Sequence, residues 1–249
     1  MMFPPPTLLS SRKLILISDE VAAPGDFLLH RFLSTHLKED KNSRCIILSV
    51  SEEFERWKAI AAKSNLNISQ SISEQKLVFI DVLAKVQPAL HSEENHSNDA
   101  LLLPIYELLS SVLTPVASQD RQKVLVILDD ITVLEWLGFS LVDLTRFTRA
   151  LRNLCMKVEA TLIIRCHIVN APEIDSLLQH LFQLSSYHIE VKPLASGRSG
   201  AVSGEVCLHL GPVEEEPNIP LVSRAAAVQY RLTDSGAIFF EKGTSGGVL

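Results

Sequence analysis

Two stretches of the sequence carry residue types and spacings close to those that handle a nucleoside triphosphate, and the first of them is altered. A phosphate-binding loop reads Gly-x-x-x-x-Gly-Lys-[Ser/Thr] between a strand and a helix. Its backbone N–H groups cradle the phosphates, its lysine meets their charge and its hydroxyl binds magnesium. Residues 13–27 have that layout, an apolar run entering a turn and then a helical pattern. With Gly25 as the second glycine, Glu20 stands at the first, Asp26 at the lysine and Phe27 at the hydroxyl. Two carboxylates would therefore face the phosphates. A carboxylate about 4 Å from a phosphate charge costs roughly 4 kcal/mol at an effective dielectric of about 20, where a lysine gains as much. A swing of several kcal/mol removes about three decades of affinity. Pro24 also lacks one of the N–H donors that such a loop uses. The expectation is a scaffold without nucleotide binding or hydrolysis of its own.

The second stretch is Val124 to Leu128 followed by Asp129 and Asp130. An apolar strand ending in aspartate is the Walker B pattern, in which the carboxylate holds magnesium. Either aspartate capping the following turn is the preferred reading. Arg146, Arg149 and Arg152 recur every three residues on one predicted helix, and Arg198 sits in the glycine-bearing loop 196–200. These arginines are candidate RNA or subunit contacts, with solvation or salt bridging as the plainer role. Neither a Gly-x-Ser-x-Gly elbow nor a His-Glu-x-x-His pair occurs. His91 and His96 read as solvated loop residues, and His167 as a local hydrogen-bonding residue at a strand end. The cysteines Cys45, Cys155, Cys166 and Cys207 are widely spaced and read as buried free thiols rather than zinc ligands. No catalytic residue, cofactor or metal is expected.

The elements that must position these residues follow from periodicity. Residues 13–18, 44–50, 76–82, 124–128 and 160–166 are apolar runs of the kind found in parallel strands covered on both faces. Helical spacing appears between them. Phe27, Leu28, Phe32, Leu33 and Leu37 share one face, with Arg31, Lys38 and Glu39 opposite. Ser51 is the expected cap of a helix burying Trp57, Ile60 and Ala61. Thr132 to Glu135 matches a capping box for a short helix ending near Gly138. The polar residues 87–99 read as a loop, followed by a helix over 100–116 with Pro104 in its first turn. Further helices are expected over 140–157 and from Pro172, Glu173 and Asp175 to about residue 184. From Tyr187 onward, short strands at 187–192, 205–210, 226–232 and 237–241 alternate with hairpin turns. Strand–helix alternation implies a mainly parallel α/β sheet, extended by antiparallel hairpins. The order of the phosphate-loop position and the Walker B position is that of RecA-type cores. The chain is read as a flexible tail over 1–11 and one domain over 12–249.

Composition agrees with a globular domain: 47% of the 249 residues are hydrophobic and 21% charged. A net charge of −6 argues against autonomous nucleic-acid binding without excluding a local basic patch. The Pro-rich start is too short for a signal-peptide core, and no membrane span is expected. Cytoplasm and nucleus are the expected locations.

Several stretches, in this order, resemble the family of the sixth Elongator subunit, RecA-like proteins without ATPase motifs. They are Gly25 to Leu33, Gln75 to Asp81, Val124 to Leu134, Pro193 to Gly197 with Val202 to Val206, and Tyr230 to Leu232 with Phe239 to Gly243 and the terminal Val248-Leu249. The resemblance implies a non-catalytic partner of the fourth and fifth Elongator subunits in a heterohexameric ring. It implies that the ring associates with the larger catalytic subcomplex, binds tRNA and supports wobble uridine modification. The readings that compete with it are an active RecA-like ATPase with an atypical phosphate loop and a RecA-paralogue-like DNA recombination adaptor.

Overall fold

A computed structural model describes residues 3–40, 42–90, 98–114, 123–169, 175–197, 199–234 and 236–242. In chain order the strands are β1 Leu14–Glu20, β2 Arg44–Ser49, β3 Leu77–Asp81, β4 Val124–Leu128, β5 Thr161–Ile168, β6 Tyr187–Lys192, β7 Gly204–Leu210, β8 Val228–Thr233 and β9 Gly236–Phe240. The helices are α1 Asp26–Glu39, α2 Phe54–Lys63, α3 Ile68–Ser73, α4 Val82–Leu90, α5 Asn98–Leu113, α6 Thr132–Trp136, α7 Leu141–Lys157 and α8 Ser176–Leu184. Among the described residues the strands form one sheet in the order β3-β2-β4-β5-β1-β6-β7-β8-β9. It is parallel from β3 to β6 and antiparallel from β6 to β9. This is the RecA-like α/β arrangement expected, with the Walker B-like strand β4 separated from β1 by β5.

Successive side chains of a strand point to opposite faces, so each central strand feeds two cores. Ile15 and Ile17 of β1 pack with Leu28 and Phe32 of α1 and Trp57 of α2. Leu14 and Leu16 pack on the other face with Leu109 of α5 and with Leu144 and Leu151 of α7. Both faces being covered explains why these strands read as continuous apolar runs.

Several local expectations fail for identifiable reasons. Ser51 caps nothing: α2 begins at Phe54 with Glu53 as its N-cap, and Ser51 N–H donates to Asp129. The box from Thr132 to Glu135 does not form either. Thr132 Oγ1 instead donates to His167 O at 3.1 Å and accepts from His167 N–H at 2.8 Å, so a neighbouring strand outcompetes the local cap. A capping box forms one helix later, between Ser140 and Asp143. The polar segment 87–99 is not wholly loop. Residues 87–90 finish α4, α5 begins at Asn98, and His91 and His96 lie outside the described residues. Because α5 starts early, Pro104 falls in its interior rather than its first turn. Pro172 and Glu173 also lie outside the described residues, and Asp175 caps α8. Residues 3–9, expected within a flexible tail, pack against the domain. Phe3 and Leu8 are fully buried, and Phe3 meets Phe239 at a centroid distance of 5.3 Å.

Candidate functional site

In open α/β sheets, ligands bind outside the carboxyl ends of the strands where the strand order reverses. Here that crevice lies beyond β1, whose neighbours are β5 and β6. The turn after β1 is closed by Ala23 N–H donating to Glu20 O at 2.9 Å, and α1 then starts at Asp26. The spacing of a phosphate loop is retained. The space is taken by the chain's own side chains.

Asp19, fully buried, is the centre. Its Oδ2 accepts from Gly25 N–H, the kind of backbone donor a phosphate would use. The same oxygen receives Arg165 Nε at 2.9 Å and Nη2 at 2.8 Å, while Oδ1 meets His167 Nδ1 at 3.0 Å. Arg165 Nη1 reaches Asp130 Oδ2 at 3.4 Å. Burial works against the charge on Arg165, but Asp19 and Asp130 outweigh it and raise its pKa. Burial pushes Asp130 up to about 6 despite Arg165. The hydrogen bond to Asp19 raises His167. Gly25 suits this packing, since a Cβ there would lie 3.2 Å from both Asp19 Cβ and Val191 Cγ2, a tight fit.

Asp129 and Asp130 behave as caps. Asp130 Oδ1 accepts from Thr132 N–H at 3.0 Å. Asp129 accepts from Ser49 Oγ, from Val50 N–H at 2.7 Å and from Ser51 N–H at 3.2 Å, tying the end of β4 to the end of β2. Burial nevertheless raises its pKa. The remaining phosphate-loop positions also have other tasks. Asp26 lies 4.0 Å from Arg56, and Phe27 packs on Tyr230 with centroids 4.6 Å apart. The crevice is rimmed by exposed apolar side chains that follow three adjacent strands: Val21 after β1, Trp136 after β4 and Val169 after β5, 67%, 60% and 54% exposed.

The arginine trio is not brought to this crevice. Arg146, Arg149 and Arg152 sit on α7, which covers the opposite face of the sheet from α1. Arg146 borders a groove with Leu102 and Tyr106 of α5, and Arg149 lies close enough to His180 of α8 to help lower its pKa, after burial. Arg198 lies outside the described residues.

A second ionic cluster joins β6 and β7. Cys207 and His209, two apart on β7, share a face with Glu190 of β6, and their ligand atoms lie within 4.8 Å of one another. Glu190 is already engaged. Arg224 Nε and Nη2 each donate to it at 2.9 Å, Lys192 Nζ at 2.8 Å, and His209 Nε2 lies at 3.2 Å. A metal ion would have to displace fixed cations, so the group fits an ion-pair role. All four cysteines are buried and free.

A family model described as Elongation complex protein 6 matches residues 5–234. The chain belongs to the Elongation complex protein 6 family. Curated relatives agree. The Elongator complex protein 6 of Homo sapiens is 26% identical over 254 residues, covering 95% of this chain and 93% of the relative. That of Xenopus tropicalis is 27% identical, covering 90% and 89%, and that of Danio rerio 26%, covering 94% and 92%. In this member of the Elongation complex protein 6 family, the lost lysine position was legible in the sequence and the residues that fill the space were not. Arg165 is a lone charge inside the mostly apolar β5, and Asp19 stands beside Glu20 at the end of a mostly apolar β1. Such residues are rarely buried unless paired, and that was the available signal. The strand register completes it by setting Asp19 opposite His167, with Arg165 two residues back.

Proposed function

We propose that this chain is a non-catalytic subunit of the Elongator complex, joining the fourth and fifth subunits in a ring of RecA-like folds. In this reading the ring docks on the larger catalytic subcomplex, binds tRNA and supports wobble uridine modification in the cytoplasm and nucleus, while the chemistry takes place in another subunit. The observation that carries it is the Asp19–Arg165–Asp130 cluster, which consumes a backbone donor and the cation where a nucleotide would need both. The family match supplies the complex. An exposed apolar rim at the same crevice suits a protein interface, because apolar patches at a surface mark contact sites.

Co-expression with the two RecA-like partners tests the reading. A stoichiometric assembly that survives gel filtration is expected, and Trp136→Glu should release this subunit from it. Failure of the wild-type chain to assemble with either partner would overturn the reading. Calorimetry of the isolated chain with magnesium and ATP should give no binding heat. Micromolar binding abolished by Asp129→Ala would instead restore the ATPase reading.

A further inference from the structure

A second concavity, far from the apolar rim in character, lies between α1, the end of α2 and the β8–β9 hairpin. It is a groove of about 580 Å³, within the range of ligand sites at roughly 300–1,000 Å³. One wall is a stripe of α1: Arg31, Ser34, Thr35 and Lys38 recur at helical spacing on the face opposite the buried Phe32 and Leu33. Lys63, at the end of α2, faces them across the groove.

The cations here differ from those held in the protein's ion pairs. Lys13, Arg56, Arg165 and Arg224 each meet a carboxylate. Among the described residues, Arg31, Lys38 and Lys63 have no carboxylate partner. Arg31 Nη1 reaches only the carbonyl of Ala237, at 3.3 Å, and its guanidinium lies over the Phe239 ring at 4.9 Å. Lys38 Nζ donates to the carbonyl of Ser64. An ammonium has three donors and a guanidinium five, so both retain unused N–H groups. Two carboxylates also line the groove. Asp26 is turned toward Arg56, and Asp234 is exposed at the hairpin turn. Beneath the stripe, His30 is 8% exposed and its Nδ1 has no hydrogen-bond partner among the described residues. Burial pushes its pKa down to about 4, so it is neutral near pH 7 and adds no positive charge to the groove.

The stripe selects the ligand class. Arg31 is held at β9 and Lys38 at the end of α2, two helical turns apart, or about 10 Å along the axis at 1.5 Å per residue. Their heads are anchored to different elements and hydrogen-bond contacts extend only about 3 Å, so phosphates in series suit them, with Ser34 and Thr35 between them on the helix. Ile60 and Ile238 supply apolar walls for ribose and base. We propose that this groove takes the phosphodiester backbone of a single-stranded RNA segment. The inference rests on reading the chain as part of a tRNA-binding assembly and names the surface that would make the contact.

The test uses the full chain, alone and in the assembled ring, with a fluorescent 12-nucleotide oligo(U) RNA, AMP, inorganic phosphate and a 12-residue polyglutamate as probes. Lys38→Glu/Lys63→Glu should weaken oligo(U) binding at least tenfold and lower the slope of log affinity against log salt by about 0.7 per cation removed. Lys58→Glu, an exposed cation outside the groove, should leave both unchanged. Thermal melting separates loss of contact from loss of fold, and Arg31→Gln gives a second variant should the double one not fold. Equal RNA affinity in folded variant and wild type overturns the proposal. So does AMP or phosphate binding as tightly as the RNA, which would make the groove a free-nucleotide or free-phosphate site, or polyglutamate displacing the RNA at equal concentration, which would make it an acidic-peptide site. The two readings fail separately. A variant ring that assembles and holds tRNA normally removes the groove but keeps the ring, whereas a wild-type chain that never assembles removes the ring while oligo(U) still tests the groove.

Discussion

The Asp19–Arg165 cluster at the ends of β1 and β5 and the Glu190–Arg224 cluster on β6 and β7 use the same ion pair in opposite surroundings. In the first, one buried arginine serves Asp19 and Asp130 beside a third buried carboxylate, Asp129. Negative charge is in excess, all of these groups are buried, and Asp130 is held up to about 6 by burial against the pull of Arg165. In the second, one carboxylate is met by Arg224, Lys192 and His209. Burial alone would raise Glu190, but these partners win and hold it down to about 2. The difference teaches that an arginine–carboxylate pair has no fixed stabilising value. The local surplus of charge and the access of water decide the sign.

The sharpest way to break this contrast is Arg165→Met. Removing one partner of a buried ionic group costs about 3–5 kcal/mol, because uncompensated charge remains. Urea unfolding should show that loss, and an unchanged midpoint would mean the cluster is not held by charge. Asp130→Asn should do the reverse at neutral pH. It keeps an acceptor for Thr132 N–H and removes a carboxylate whose ionisation is opposed, so a gain on the order of 1–2 kcal/mol is expected from the size of the shift. A loss of similar size would show that Arg165 needs both partners. Arg224→Ala should cost about 1 kcal/mol or less, since its side chain is 71% exposed and Lys192 and His209 remain. The clearer readout there is an upward movement of the Glu190 pKa in an NMR titration.

The slopes of stability against pH run in opposite directions at the two clusters. Asp130 is raised above its ordinary 3.8, so its contribution is present below that value and is lost as pH rises through about 6. Glu190 is depressed below its ordinary 4.5, so its contribution is present above that value and is lost as pH falls toward about 2. Unfolding midpoints across this range should lose the first slope in Asp130→Asn and the second in Glu190→Gln. A single variant that removed both would show the clusters to be coupled.

Parts of this architecture were legible before the coordinates. The apolar runs Leu14–Glu20, Arg44–Ser49 and Val124–Leu128 became strands because each must face helices on both sides. The short α3 was not legible. Its residues Ile68 to Ser73 are mostly serine, glutamine and β-branched, weak helix formers, and Asn67 caps it through the N–H of Gln70. Nor was α4, which runs through Pro88 to Leu90 because Val82 and Val86 are buried under α5 and Asp81 accepts from Ala84 N–H. Thr132 satisfied a local capping rule and followed a tertiary partner instead.

What the sequence determined by itself was the side-chain chemistry of the turn after β1. Asp26 and Phe27 stand where a lysine and a hydroxyl are needed, and side-chain charge is a property of residue identity. The parallel α/β core follows similarly from residue pattern, because periods of two and of 3.6 are local. Only the tertiary structure decided what fills the crevice beyond β1. Asp19 and Arg165 are 146 residues apart, and the β1–β5 register brings them within 2.9 Å. The same is true of the α1 stripe. Its cations are visible in the sequence, but that they line a groove with Lys63 and hold backbone carbonyls instead of carboxylates among the described residues is set by the packing of α2 and the β8–β9 hairpin.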